Sequence, residues 1–104
     1  MDFLAELDFY STIEGGRCSI AYSGYRPHVK FDDIDFYTSG EQSYVTKTVV
    51  SPGEKGVMTR IHLLTKEPFL KKLYVGKKFT FGEGQRIVGT GEIVEIYNQD
   101  LIQS

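Results

Sequence analysis

Tryptophan is absent from this chain, cysteine occurs once (Cys18), histidine twice (His28, His62) and proline three times. Each scarcity excludes something. A single cysteine cannot form an internal disulfide, which agrees with a reducing compartment. No apolar run approaches the ~18 residues that a membrane helix needs. The opening Met1-Asp2-Phe3-Leu4-Ala5-Glu6 is acidic and lacks the positive flank and apolar centre of a secretion signal. A cytoplasmic protein with no membrane partner is therefore expected. No glycine-rich loop ends in Gly-Lys-Ser/Thr, so no triphosphate cradle and no GTP binding is expected. Gly82-x-Gly84 begins like a dinucleotide fingerprint, but Ile87 stands at the third glycine position and the segment opens a strand rather than a helix.

What is present suits one all-β domain. The 104 residues are 40% hydrophobic, 25% charged and 13% aromatic, with seven Tyr beside seven Phe. That balance is globular, and aromatic side chains favour pleated surfaces. Phe3, Ala5, Leu7 and Phe9 alternate with Asp2, Glu6, Asp8 and Tyr10, the period-two signature of a strand with one buried face. Glu14-Gly15-Gly16-Arg17 reads as a turn, Ser19 to Tyr22 as a short strand, and Gly24 as a break. The next strand is expected from His28 to Tyr37. Its apolar phase slips between Val29/Phe31 and Ile34/Phe36, which predicts a β-bulge at Asp32-Asp33. Ser39-Gly40 is expected to end it. Further strands are expected over Tyr44–Val50, Val57–Thr65, Lys78–Phe81 and Arg86–Tyr97, separated by Ser51-Pro52-Gly53-Glu54, a loop opened by Pro68, and Gly82-Glu83-Gly84-Gln85. Gly89 and Gly91, two apart on the last strand, predict a tight bend or close approach by another backbone. Short strands at turn-punctuated intervals with no helical periodicity predict a barrel or sandwich over residues 1–97, with 98–104 as a frayed C-terminal tail.

The candidate chemistry is sparse. Asp32, Asp33 and Asp35 are the densest carboxylates, but neighbouring strand residues point to opposite faces, so no metal site is expected. Cys18, His28 and His62 show no spacing that makes a nucleophile and base, and no catalysis and no cofactor are expected. Charge is divided: residues 1–43 carry eight acids against three bases, residues 44–104 nine bases against six acids. Lys66, Lys71, Lys72, Lys77 and Lys78 face Glu67 alone and form either a phosphate-facing edge or a solvated lysine-rich loop. Arg17 and Arg26 follow glycine turns. They would suit phosphate or carboxylate recognition, or else close the barrel rim.

Phe3-Leu4-Ala5-Glu6-Leu7, Glu14-Gly15-Gly16-Arg17, Gly24-Tyr25-Arg26-Pro27, Pro52-Gly53-Glu54 and Glu83-Gly84-Gln85-Arg86-Ile87-Val88-Gly89-Thr90-Gly91 occur in that order across residues 3–97. In order and spacing this set resembles the third, C-terminal domain of translation elongation factor Tu. The resemblance implies a closed six-stranded antiparallel β-barrel. It also implies a surface that contacts tRNA or partner proteins, with Arg17, Arg26, Glu83 and Gly84 retained at tRNA-facing positions. His28 and Tyr37 stand at two such positions where the family has Gln and Thr, and Cys18 where it has His. Asp32 and Asp33 replace Arg and Thr of the family strand, and Glu67 falls near a family Lys. Each lost phosphate contact removes a released counterion and its salt-dependent affinity. The expected function is therefore a non-catalytic binding module that contacts a protein in a translation-related, decoy or immunity-type role. A weak tRNA-backbone binder is the alternative, and an enzyme is least expected.

Overall fold

The computed structural model describes residues 1–104. Eight strands form in chain order: β1 (Phe3–Phe9), β2 (Ala21–Tyr22), β3 (His28–Phe31), β4 (Tyr37–Tyr44), β5 (Val49–Val50), β6 (Val57–Leu63), β7 (Lys78–Glu83) and β8 (Arg86–Ile96). Six of them close into an antiparallel barrel in the order β1-β6-β4-β3-β7-β8. Closure leaves no barrel strand with a free edge. The remaining two, β2 and β5, form a separate ribbon. It lies at the end where β3 and β6 begin, and it lays Ala21 and Val50 into the core. No helix is long and apolar enough to cross a membrane.

The period-two alternation of β1 does what its sequence predicts: Phe3, Ala5, Leu7 and Phe9 are buried. Aromatic rings dominate the interior. Phe3, Phe31, Phe69 and Phe79 pack at one end of the barrel, with ring centroids 5.4–6.5 Å apart. Phe9 meets Phe81 and Tyr44 toward the other, at 5.0 and 6.3 Å. Burying each such side chain contributes about 1.5–3 kcal/mol, so these rings carry much of the fold's stability.

Several expectations need correction, among them the strand over Tyr44–Val50, where β4 ends at Tyr44 and β5 holds only Val49 and Val50. The segment from His28 to Tyr37 is not one bulged strand. It is a hairpin, with β3 paired to β4 in the register Val29↔Thr38 and a turn across residues 32–36. The phase slip of the apolar residues therefore marks a reversal of the chain, and Ile34 tucks into the core from the turn. The bulges sit on β8 instead. Register shifts opposite Leu4/Ala5 and Phe81/Gly82 leave Val94 and Val88 as the extra residues. Gly40 does not end a strand but lies within β4. A Cβ there would fall 2.5 Å from Val29 Cγ2, so glycine admits the packing of β3 side chains rather than a break.

The glycines of β8 work in the same way. Gly89 and Gly91 pair with Phe81 and Phe79 across the β7–β8 ladder, and those rings lie over them. Close approach is real, but at Gly91 side chains make it, while at Gly89 the Asp8 carbonyl joins the Phe81 ring.

The C-terminal tail is docked, not frayed. After a 3-10 turn at Gln99–Leu101, the Leu73 amide donates to the Leu101 carbonyl and the Gln103 amide to the Leu73 carbonyl, both at 2.8 Å. Leu101, Leu73 and Phe69 are fully buried and plug that end of the barrel. Asp2 ties the plug down. Its buried carboxylate accepts from the Leu63 amide (2.7 Å) and from Asn98 Nδ2 (3.0 Å), and its carbonyl accepts from the amides of Tyr97 and Asn98. A buried leucine and one short polar side chain had no period in the sequence to reveal them.

Candidate partner-binding site

The residues singled out by sequence divide between the two ends. At the ribbon end, the loop carrying Arg17 meets the β7–β8 hairpin. Arg17 pairs with Glu83, its Nη2 donates to the Ser19 hydroxyl and the Ile20 carbonyl, and its Nε donates to the Ser19 carbonyl. The guanidinium also sits 4.5 Å from the centre of the Tyr25 ring, and the Tyr25 hydroxyl donates to the same Glu83 carboxylate. Every nitrogen of Arg17 is engaged within the chain. Burial, and then the neighbouring carboxylate, push the Tyr25 phenol well above its ordinary range. Partial desolvation works against ionisation of Glu83, but hydrogen bonds from Tyr25 and Arg17 outweigh it and hold the carboxyl below the usual carboxylate value. Of the two readings for Arg17, the geometry is that of a rim clasp.

Next along the chain, Pro27 leads Arg26 and His28 into β3. His28 Nε2 lies 2.7 Å from the Gly84 carbonyl. A carbonyl only accepts, so this assigns the proton to Nε2 and leaves the buried Nδ1 as an acceptor without a donor. The imidazole stacks obliquely on Tyr37 of β4, with centroids 5.2 Å apart. Tyr37 remains 66% exposed.

Arg26 is freer than Arg17. Its side chain is 70% exposed, and Nη2 stands 3.7 Å from the Glu41 carboxylate, beyond hydrogen-bond reach. Arg26 and Glu41 line a surface groove of about 300 Å³ with Ser39, His62 and Leu64. The β4–β6 register builds it: Glu41 pairs directly with His62, and the Leu64 amide donates to the Ser39 carbonyl. Leu64, just past the end of β6, is 72% exposed. Sequence reasoning singled out neither Ser39, Glu41 nor Leu64. The signal was the Leu63-Leu64 pair, since adjacent strand positions cannot both face the core.

The lysine-rich stretch does not form one continuous edge. Lys77 is buried. Its ammonium lies 2.8 Å from both Asp33 oxygens and 4.8 Å from the centre of the Tyr74 ring. Beside Lys77, the Asp33 carboxyl is held below its ordinary range. Lys66 donates to the Leu63 carbonyl and leans on Asp2 at 3.6 Å. Lys71, Lys72 and Lys78 are exposed. No surface groove joins Cys18, His28 and a carboxylate.

A second groove, of about 410 Å³, crosses the outer face of β1, β8 and β7. Glu6, Asp8, Asp32 and Glu92 line it with Lys78, and Glu6 stands directly across the ladder from Glu92. The fold and these surfaces define a closed six-stranded β-barrel protein. No known protein-family model matches the chain.

Proposed function

We propose that this protein is a non-catalytic binding module that docks another protein on the outer face of β3, β4 and β6. The observation carrying this reading is the convergence of Arg26, His28, Tyr37 and Leu64, from separate segments, on one face that leaves an aromatic ring, an aliphatic side chain and an arginine open to solvent. Tyrosine and arginine are the residue types enriched where binding energy concentrates. The motif order resembling the elongation factor's third domain supports a role near translation, as an accessory or as a decoy or immunity-type protein. A tRNA-backbone role draws less support. Arg17 is engaged internally and Lys77 is buried, so neither is free to meet a phosphate. The test is recovery of partners on the tagged full chain with and without ribonuclease. A stoichiometric protein that survives ribonuclease is expected. Recovery of RNA alone, with binding that weakens steeply with salt, would overturn the reading.

A further inference from the structure

We infer that the groove between β4 and β6 takes an extended acidic peptide segment of the partner, with a carboxylate set against Arg26 and an adjacent apolar side chain against Leu64. This rests on the protein-binding reading above and specifies its chemistry.

Three features of the groove select that occupant. First, its cation is available. Arg26 is mostly exposed, and its only acidic neighbour, Glu41, stands 3.7 Å away, too far for a hydrogen bond. An incoming carboxylate that met the guanidinium in a paired, charge-assisted geometry would make the stronger contact. Second, Asp2, the acid on the β1 side of β6, is already committed and adds no free charge beside the groove. Asp2 is buried and accepts from the Leu63 amide and the Asn98 side chain, while His62 and Lys66 approach it at 3.6 Å. The groove itself is lined by Arg26, Glu41 and His62 with Ser39 and Leu64, so an incoming carboxylate would take the place of Glu41 beside Arg26. Third, Leu64 offers apolar surface with no polar partner of its own. An apolar side chain laid on it loses water on both sides.

The same features disfavour a nucleic-acid backbone. A phosphate run would gain nothing from Leu64, and the single arginine of the groove offers it one contact where a backbone draws its affinity from several. Stacking of a base on Tyr37 would compete with His28, which already lies against that ring.

The decisive experiment is an amide-resolved NMR titration of the full chain with acetyl-Leu-Glu-Leu-amide, acetyl-Leu-Lys-Leu-amide and bulk tRNA. The acidic peptide is expected to shift the amides of Arg26, Ser39, Glu41, His62 and Leu64 and to bind about tenfold more tightly than the basic one. Arg26→Gln and Leu64→Ser should each weaken it severalfold, with Glu92→Lys on the far face leaving it unchanged. Equal binding of both peptides, shifts confined to the β1–β8 face, or tRNA alone shifting the groove would overturn the inference. A captured partner protein that binds Arg26→Gln and Leu64→Ser variants as well as the native chain would also overturn it, while leaving the protein-binding reading standing.

Discussion

Two faces of one barrel, with the same backbone alternation, present opposite chemistry. In the closed ring, β4 lies across from β8. The β4–β6 face offers Tyr37, Ser39, His62, Leu64 and an Arg26 loosely paired with Glu41. The β8–β1 face offers Glu6, Asp8, Thr90 and Glu92, with Lys78 as the one base in its groove. Inside, both walls meet the same close packing, and each uses glycine to admit a neighbour's side chain. The difference teaches that the inward residues fix the barrel, while the outward set can vary from face to face. One outward face mixes cation and apolar surface, as a binding face would. The other tolerates two glutamates directly opposite each other, an arrangement that costs stability.

The largest effects should come from the shared interior. Gly91→Val would drive a Cβ into the Phe79 ring and to 2.8 Å from Leu7 Cδ2. Overpacking of this kind costs about 1–3 kcal/mol and sometimes more. We expect loss of the cooperative melt, or a midpoint lowered by ten degrees or more (about 4–8 °C per kcal/mol for domains up to this size). A midpoint within a few degrees of the native chain would show that the β7–β8 wall can yield. Asp2→Ala should come next, at about 1–3 kcal/mol, because it strips acceptors from the buried Leu63 amide and from Asn98. Hydrogen exchange should then speed up at Leu101 and Gln103, whose backbone groups hold the tail against Leu73. Unchanged exchange there would mean that Leu101 alone retains the plug.

How far these features were legible in the sequence depends on their period. β1 announces itself by Phe3, Ala5, Leu7 and Phe9, and a succession of such segments pointed to a barrel or sandwich, while closure with six strands was an expectation from the resemblance alone. The 32–36 turn was misread because a hairpin reversal and a bulge both break apolar phase, and Asp32-Asp33 suits either. The bulges of β8 were hidden behind Val88 and Val94, ordinary strand residues on both sides of the shift. Of the site, Arg26, His28 and Tyr37 were singled out and do share a face. Arg17, Glu83 and Gly84 belong to the clasp beside it. The engagement of Arg17 and the burial of Lys77 depend on partners 66 and 44 positions away, and no local pattern carries such information.

The clasp gives a pH signature at the rim between the two faces. The folded protein holds the Glu83 carboxyl below its unfolded value of about 4.3. Its contribution is therefore complete above that value and is lost as pH falls through the lower, folded pKa. Melting midpoints should fall as pH drops below about 4.3, and less so in Glu83→Gln, which cannot lose that charge. The effect is modest, since Glu83 is partly exposed and solvent screens the pair. Identical acid profiles for the native chain and Glu83→Gln would remove the clasp from the account.

The smallest effect sharpens the contrast most directly. Glu92→Lys on the acidic face replaces a like-charge pair with Glu6 by an opposite-charge one, and on its other side turns the directly paired Lys78 and Glu92 into two lysines, so the margin rests on Asp8, diagonal to it. Glu6 and Asp8 together offer more negative charge than Lys78 offers positive, so the change should stabilise the barrel by about 0.2–1 kcal/mol. The gain should shrink as salt rises from 0.01 to 0.5 M, because these are surface charges within about a Debye length of one another. Glu41→Lys on the opposite face should do the reverse, since it places a lysine directly across from His62 and beside Arg26. If both substitutions moved the melting midpoint in the same direction, the two faces would not differ electrostatically, and the acidic face would have no claim to be the one that gives up stability to its own charge.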